Sequence, residues 1–104
     1  MADDEVLMFN ALWLKGDEGH RLYAEYGARA MPMVERLGGG LDYALIAQKA
    51  VDDHFVPDVL AVVRYPSRQV FDEMMASDEY RAISHLRTQA AERAILTECR
   101  RAHP

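Results

Sequence analysis

The sequence has little cysteine, little proline and little aromatic bulk of the largest kind: one cysteine, four prolines and one tryptophan in 104 residues. The lone Cys99 excludes an internal disulfide framework and any multi-cysteine zinc site. Nothing near it in sequence marks a thiolate, so it reads as a small strand residue in a reducing compartment. A long hydrophobic run is also missing. The longest, Val6 to Leu14, is interrupted by Asn10 and reaches about half of the ~20 residues that a membrane helix needs. The N-terminus lacks the basic start and apolar core of a signal peptide. A cytoplasmic location with no membrane partner is therefore expected. Positive charge is scarce too: twelve basic residues stand against seventeen acidic ones, a formal charge of −5. With no basic stripe to neutralise phosphates, nucleic acid is not an expected partner. The acidic start, Asp3-Asp4-Glu5, reads as a solvated terminus.

What is present is an ordinary globular composition, 50% hydrophobic and 28% charged. One domain over residues 1–104 is expected, long enough to bury roughly two-thirds of its unfolded surface. EVLMFNALWLK (5–15) is short, apolar and followed by Gly16-Asp17, which suits a buried strand. The period then changes. Leu22, Tyr23, Tyr26, Ala30, Met33, Val34 and Leu37 recur at three- and four-residue steps, the stripe of an amphipathic helix. Asp17 or Glu18 suits its positive end, Pro32 predicts a kink in its last turns, and one glycine of Gly38-Gly39-Gly40 is expected in the left-handed cap conformation. LDYALIAQKA (41–50) reads as a second strand, followed by a loop through Asp52-Asp53-His54, and DVLAVVRY (58–65) reads as a third. Helical spacing returns from Ser67 with Val70, Phe71, Met74 and Met75, and again from Ser77 with Tyr80, Ile83, Leu86 and Ala90. Both serines are placed as N-caps, with a bend between the two segments near Ala76–Ser77. AILTECR (94–100) closes as a fourth strand. The order β-α-β-β-α-β is the ferredoxin-like arrangement, an α+β fold with an antiparallel sheet.

In this fold both helices cover one face of the sheet, and the other face of a monomer should be polar. These strands do not alternate that way. Val6, Met8, Leu12 and Leu14 point to one side of the first strand, and Leu7, Phe9, Ala11 and Trp13 to the other. In the third, Val59, Ala61 and Val63 oppose Leu60 and Val62. Both faces are apolar, and a patch of that size marks an interface. Two copies packed sheet to sheet, a dimeric α/β barrel, is the expected assembly.

The run Tyr65-Pro66-Ser67, then Ser77-x-Glu79-Tyr80, then Arg87, resembles the F-P-S, S-x-E-Y and R signature of DUF1330-type proteins in the dimeric α/β-barrel superfamily. Tyr23, Tyr26, Pro32 and Gly38-Gly39 fall where that family has its Y, P and GG. The resemblance covers roughly residues 6 to 100. Tyr65 replaces the usual Phe, and Arg64 stands where the family often has an acid. The resemblance implies a homodimer and no agreed activity.

Two polar residues intrude on apolar strands, Asn10 and Arg64. A buried amide or guanidinium needs partners, and a small-molecule carboxylate or carbonyl would supply them, held by Arg64 as a bidentate fork. The alternative is structural: Arg64 paired with an acid across the dimer, Asn10 bonded to backbone. Whether the two share a cleft depends on strand register. Arg87 and Tyr80 join them as ligand-binding candidates, although Arg87 also suits an ion pair with Glu79 or Asp78. His85 or Tyr26 would move a proton if the protein is an enzyme. Tyr23, Tyr26 and Tyr80 are expected to be mostly core, with hydroxyls at a cleft edge. His20, His54 and His103 form no ligand constellation, and no metal is expected. The three glycines lack the following helix and lysine of a phosphate loop. The expected function is therefore binding or transformation of a small organic acid or aromatic without a tightly bound cofactor. A non-catalytic accessory dimer is the alternative. The superfamily also contains cofactor-independent monooxygenases, isomerases and haem-degrading enzymes. The last use an Asn on strand one, a His on the second helix and a Trp on strand three. Asn10 and His85 match the first two positions, while the single tryptophan, Trp13, is on strand one.

Overall fold

The structure is a computed structural model and describes residues 4–102; Asp3 and His103 lie outside that span. Four strands form one antiparallel sheet, β1 (Val6–Leu14), β2 (Gly40–Leu45), β3 (Val59–Tyr65) and β4 (Ala91–Cys99), in the order β2-β3-β1-β4. The helices are α1 (Gly16–Arg36), α2 (Arg68–Ala76), α3 (Asp78–Arg81) and α4 (Ser84–Ala90). The ferredoxin-like topology is the expected one. The sheet is open, with β2 and β4 as its edges, so one chain does not close a barrel.

The first helix carries Asp17 and Glu18 in its first turn, where acids oppose the exposed amides. It continues through Pro32 to Arg36, because Pro32 lies on the exposed side, where water replaces the missing donor. Leu37, expected in the apolar stripe, is the C-cap residue and is exposed. Gly38 takes φ +90°, the left-handed turn anticipated from the glycine run. Gly39 is required for a different reason: a Cβ there would collide with the backbone carbonyl of Arg64, so helix and sheet meet without a side chain between them.

Ser67 and Ser77 are the N-caps they were expected to be. Each hydroxyl accepts from the amide three residues on, Val70 and Tyr80, at 3.1 Å. Ser77 also donates to the Met74 carbonyl, tying the end of α2 to the start of α3. The second segment, expected to be continuous, is itself broken at Ala82–Ile83 into α3 and α4. We expect Ser77→Ala to cost about 1 kcal/mol of stability, read as a lower urea midpoint with an unchanged slope.

Two strand boundaries differ from the sequence expectation. β2 ends at Leu45 rather than at residue 50, because Leu45 pairs with Leu60 and only Val59 of β3 remains to pair with. Pro57, just beyond, has no amide to offer. β4 starts at Ala91 rather than 94. The stretch Ala91-Glu92-Arg93 is a good helix former, yet it pairs with Leu14 and Trp13 of β1, and the Arg93 guanidinium sits 4.5 Å above the Trp13 ring. Tertiary pairing overrides propensity here.

The helices cover one face. Val6, Met8, Met33, Val34, Tyr65, Phe71, Met74 and Leu86 belong to one core cluster, and Leu12, Leu14 and Ala90 to a second. The opposite face carries Leu7, Phe9, Ala11 and Trp13 beside Leu60 and Val62, as the alternation required; Leu7, Ala11 and Val62 are already buried in the single chain, and Phe9, Trp13 and Leu60 are partly exposed. Tyr43 and Leu45 continue it onto β2, and both are about half exposed at 51% and 52%.

Candidate functional site

Register decides which intruding residues meet. Asn10 stands opposite Ala61 across the β1–β3 ladder, while Arg64 stands opposite Leu7. Partners directly across a ladder share a face, and positions an odd number apart do not. Asn10 therefore faces the helices and Arg64 faces away from them. The register thus answers what the sequence leaves open: the two do not share a cleft. Arg64 donates to the Gly38 carbonyl at 3.2 Å and lies 3.7 Å from Asp42 and 3.9 Å from Glu5. Arg101 completes that network, bonding Glu5 and Asp42 at 3.1 and 2.9 Å. These acids belong to the same chain, so Arg64 serves to tie β2, β3 and the two ends of the chain together.

Under the helices is a cavity of about 310 Å³, crossed at its floor by Met8, Asn10 and Ala61 and roofed by Tyr26, Tyr80 and Arg87. It reaches from Leu41 on β2 to Leu96 on β4, both about half exposed, so its mouths are apolar. The size lies at the lower end of the range for small-molecule sites, and so does the chemistry: an apolar wall with a few convergent polar groups. Met74 and Met75 fill the irregular space beneath α2.

The polar groups are organised around Asn10. Its amide nitrogen donates to the carbonyls of Met8 at 3.1 Å and Ala61 at 3.4 Å, which fixes the amide's orientation. Its Oδ1 then points outward and accepts from the Arg87 guanidinium at 3.0 Å. Arg87 was expected to pair with Glu79 or Asp78. Glu79 instead binds Arg36 at 2.6 Å. Among the described residues no carboxylate lies within ion-pair distance of Arg87, although Arg21, Arg29, Arg36, Arg64, Arg68 and Arg101 each have one. Arg87 is a half-buried cation whose one hydrogen-bond partner among the described residues is a neutral amide.

Four tyrosines surround it. The hydroxyls of Tyr26 and Tyr80 lie 2.8 Å apart, and Tyr23 stacks on Tyr26 with ring centroids 5.8 Å apart. Tyr65 completes the wall. Burial pushes the Tyr26 phenol up, helped by the charge and hydrogen bond of Tyr80, while Arg87 pulls against the shift. Burial likewise raises Tyr23 and pushes Tyr65 up to about 12. These phenols keep their protons at any ordinary pH, so they are available as hydrogen-bond donors and not as bases.

His85 does not join them. It is exposed, because it lies outside the stripe made by Leu86 and Ala90, whereas Arg87, three residues before Ala90, lies at that stripe's edge. The haem-enzyme arrangement is not formed: His85 is outside the cavity, and Trp13 is on the opposite face, edge-on to Phe55 at 5.4 Å. The residues present do not fit haem. Tyr23, expected in the core with its hydroxyl at a cleft edge, lines the cavity, and so does Tyr65, which sequence marks only as a motif position. Parity with Met8 would have placed Asn10 correctly, but its contact with Arg87, 77 positions away, needed the fold.

Residues 18–97 match the family model for a domain of unknown function, DUF1330. The chain belongs to the DUF1330 family. Most of the site falls inside the matched span, including Tyr23, Tyr26, Tyr65, Tyr80 and Arg87, while Asn10 precedes it. No curated protein matches the sequence. A protein of unknown function from Rhodopseudomonas palustris has a similar structure, with a TM-score of 0.86 and 24% identity over 97% of this chain and 85% of that one. A dimeric ferredoxin-like protein of unknown function from Jannaschia shares the fold at a TM-score of 0.72 and 8% identity, over 91% of this chain and 97% of that one. An antibiotic biosynthesis monooxygenase-like protein of Bacteroides thetaiotaomicron shares it at 0.71 and 15%, over 100% and 95%. At these identities all three speak for the fold alone.

Proposed function

We propose that this DUF1330 protein is a homodimer that binds a small, mainly apolar organic acid between its sheet and its helices, without a tightly bound cofactor. One observation carries the ligand class: the half-buried Arg87 guanidinium, oriented by Asn10 and free of any carboxylate partner among the described residues, at the wall of an apolar cavity. Taking a cation partly out of water is costly unless an anion compensates it, and a guanidinium matches a carboxylate with two parallel hydrogen bonds. An aromatic body suits the tyrosine and methionine walls. The test is calorimetric titration with aromatic acids and their amides, phenylacetate against phenylacetamide. The acid is expected to bind at least about tenfold tighter. Equal affinities would overturn the reading. Following each bound compound by mass spectrometry separates the two roles open to such a site, since an enzyme consumes its ligand and an accessory module returns it unchanged.

Support for the dimer is the apolar open face, together with structural neighbours described as dimeric. Phe9 stands near the middle of that face, opposite Val62 on one side and Thr97 on the other. Phe9→Asp is expected to convert the dimer to monomer in analytical ultracentrifugation while the circular dichroism of the fold persists, because an unpaired carboxylate cannot enter an apolar interface without large cost. A Phe9→Asp dimer of unchanged strength would place the interface elsewhere. Cys99 as a free thiol is consistent with a reducing, cytoplasmic setting.

A further inference from the structure

The carboxylate pole at Arg87 leaves a second polar feature of the same cavity unexplained. The Tyr26 and Tyr80 hydroxyls are 2.8 Å apart and share one hydrogen bond. Two hydroxyls carry two protons, and one bond between them uses one. The hydroxyl that accepts keeps an O–H with no protein partner, since neither oxygen has another hydrogen bond among the described residues. Tyr80 is only 8% exposed, and both rings line the cavity. An unspent donor in so buried a place costs free energy unless something in the cavity accepts from it. Carboxylates are drawn to Arg87. A neutral oxygen is the group that the tyrosine pair is built to receive, and ring packing holds the donor in place: Tyr80 meets Tyr26 edge-on, centroids 6.2 Å apart, and Tyr26 stacks on Tyr23.

We propose that the Tyr26–Tyr80 pair is a second recognition pole, so that the ligand is an oxo acid: a carboxylate for Arg87 and Asn10, and a carbonyl oxygen for the tyrosine hydroxyl. This rests on the organic-acid reading above and narrows it. A simple aromatic or fatty acid satisfies Arg87 and leaves the phenol proton unpaired. An oxo acid satisfies both, and a site built to bond an oxygen rejects the analogue that lacks it more strongly than an apolar pocket rejects a lost methylene. Asn10, Arg87, Tyr26 and Tyr80 line one cavity of about 310 Å³, which places the two poles within one small ligand's reach.

The test uses matched pairs that differ by one carbonyl oxygen, benzoylformate against phenylacetate and benzoylpropanoate against phenylbutanoate, titrated into the intact protein. At least one oxo member is expected to bind about tenfold tighter than its partner, the equivalent of one well-made hydrogen bond from a buried hydroxyl. In the double variant Tyr26→Phe/Tyr80→Phe, which keeps both rings and removes both hydroxyl protons, that preference is expected to fall to about twofold or less, read as the ratio within each pair. Equal binding within both pairs, with acids still preferred over amides, would overturn the second pole and leave the Arg87 reading standing. A preference that survives in the double variant would overturn it as well. Loss of the acid-over-amide preference would take both readings down.

Discussion

Arg87→Met is expected to weaken phenylacetate binding about 30-fold while leaving the protein folded. Methionine preserves much of the apolar stem that packs beneath α4 and removes the charge. A charge-assisted hydrogen bond contributes on the order of 1.5–3 kcal/mol, which is roughly 10- to 150-fold in affinity. The stability cost should stay near 1 kcal/mol, since Asn10 loses one acceptor interaction at a cavity wall that water can reach and keeps its two backbone bonds. Arg87→Lys is expected to fall between the two proteins, because an ammonium supplies charge without the planar fork. Arg64→Met is the informative control. Arg64 carries the same charge and interrupts an apolar strand, but it faces the side of the sheet away from the cavity and pairs with Glu5 and Asp42. Its replacement is expected to cost up to about 1 kcal/mol of stability and nothing in ligand affinity. Titration of both variants decides the matter: if Arg64→Met loses affinity and Arg87→Met does not, the site has been put on the wrong face.

Alkali is expected to unfold the protein steeply above pH ~10. Burial holds the phenols of Tyr23, Tyr26 and Tyr65 in the protonated form beyond their usual value of 10.0, with Tyr65 reaching about 12. The unfolded chain has no such protection and begins to release these protons near pH 10. Above that pH the unfolded state binds fewer protons than the folded one, so stability falls as pH rises. The contribution is complete below the unfolded value and is lost on the way up through the folded one. Each phenol removes up to about 1.4 kcal/mol per pH unit, and three together up to roughly 4. Against an ordinary domain stability of about 5–15 kcal/mol, that suffices to unfold a domain at the lower end of the range within about two units. Phenolate absorbance and far-ultraviolet circular dichroism should therefore change together, in one steep transition. Tyr65→Phe removes one of the three titrations and should flatten the pH dependence by about a third. Phenolate appearing along a simple curve centred at pH 10, with the fold intact, would mean that the phenols are not buried in solution.

Much of the architecture could be read from local pattern. The two-residue alternation of β1 and β3, the three- and four-residue steps of α1, the serine caps and the glycine turn each depend on neighbours a few positions away, and each stands as expected. Where the reading went astray, a distant partner was responsible. β2 stops at Leu45 because β3 runs out opposite it, and β4 begins at Ala91 because Trp13 and Leu14 of β1 are there to pair with it. The break at Ala82–Ile83 divides a pattern that is continuous by spacing.

The candidate site divides along the same line. Asn10, Tyr26, Tyr80 and Arg87 were all singled out from sequence, and all four line one cavity. Their relations were not legible. The hydrogen bond between Asn10 and Arg87 spans 77 positions, and that between Tyr26 and Tyr80 spans 54. Arg64 and His85 illustrate the reverse. Both are chemically apt residues, and register turned one to the far side of the sheet while helix phase turned the other to solvent.

Composition and periodicity thus determined the fold, the two apolar faces of the sheet and the inventory of polar residues available to a ligand, because these follow from the covalent order of side chains along a strand or helix. Which of two arginines faces the cavity, which tyrosines pair, and that Arg87 meets an amide and not an acid were decided only by tertiary structure. A one-residue change of register exchanges the faces of a strand without altering its composition, and no local pattern records which register two strands have chosen.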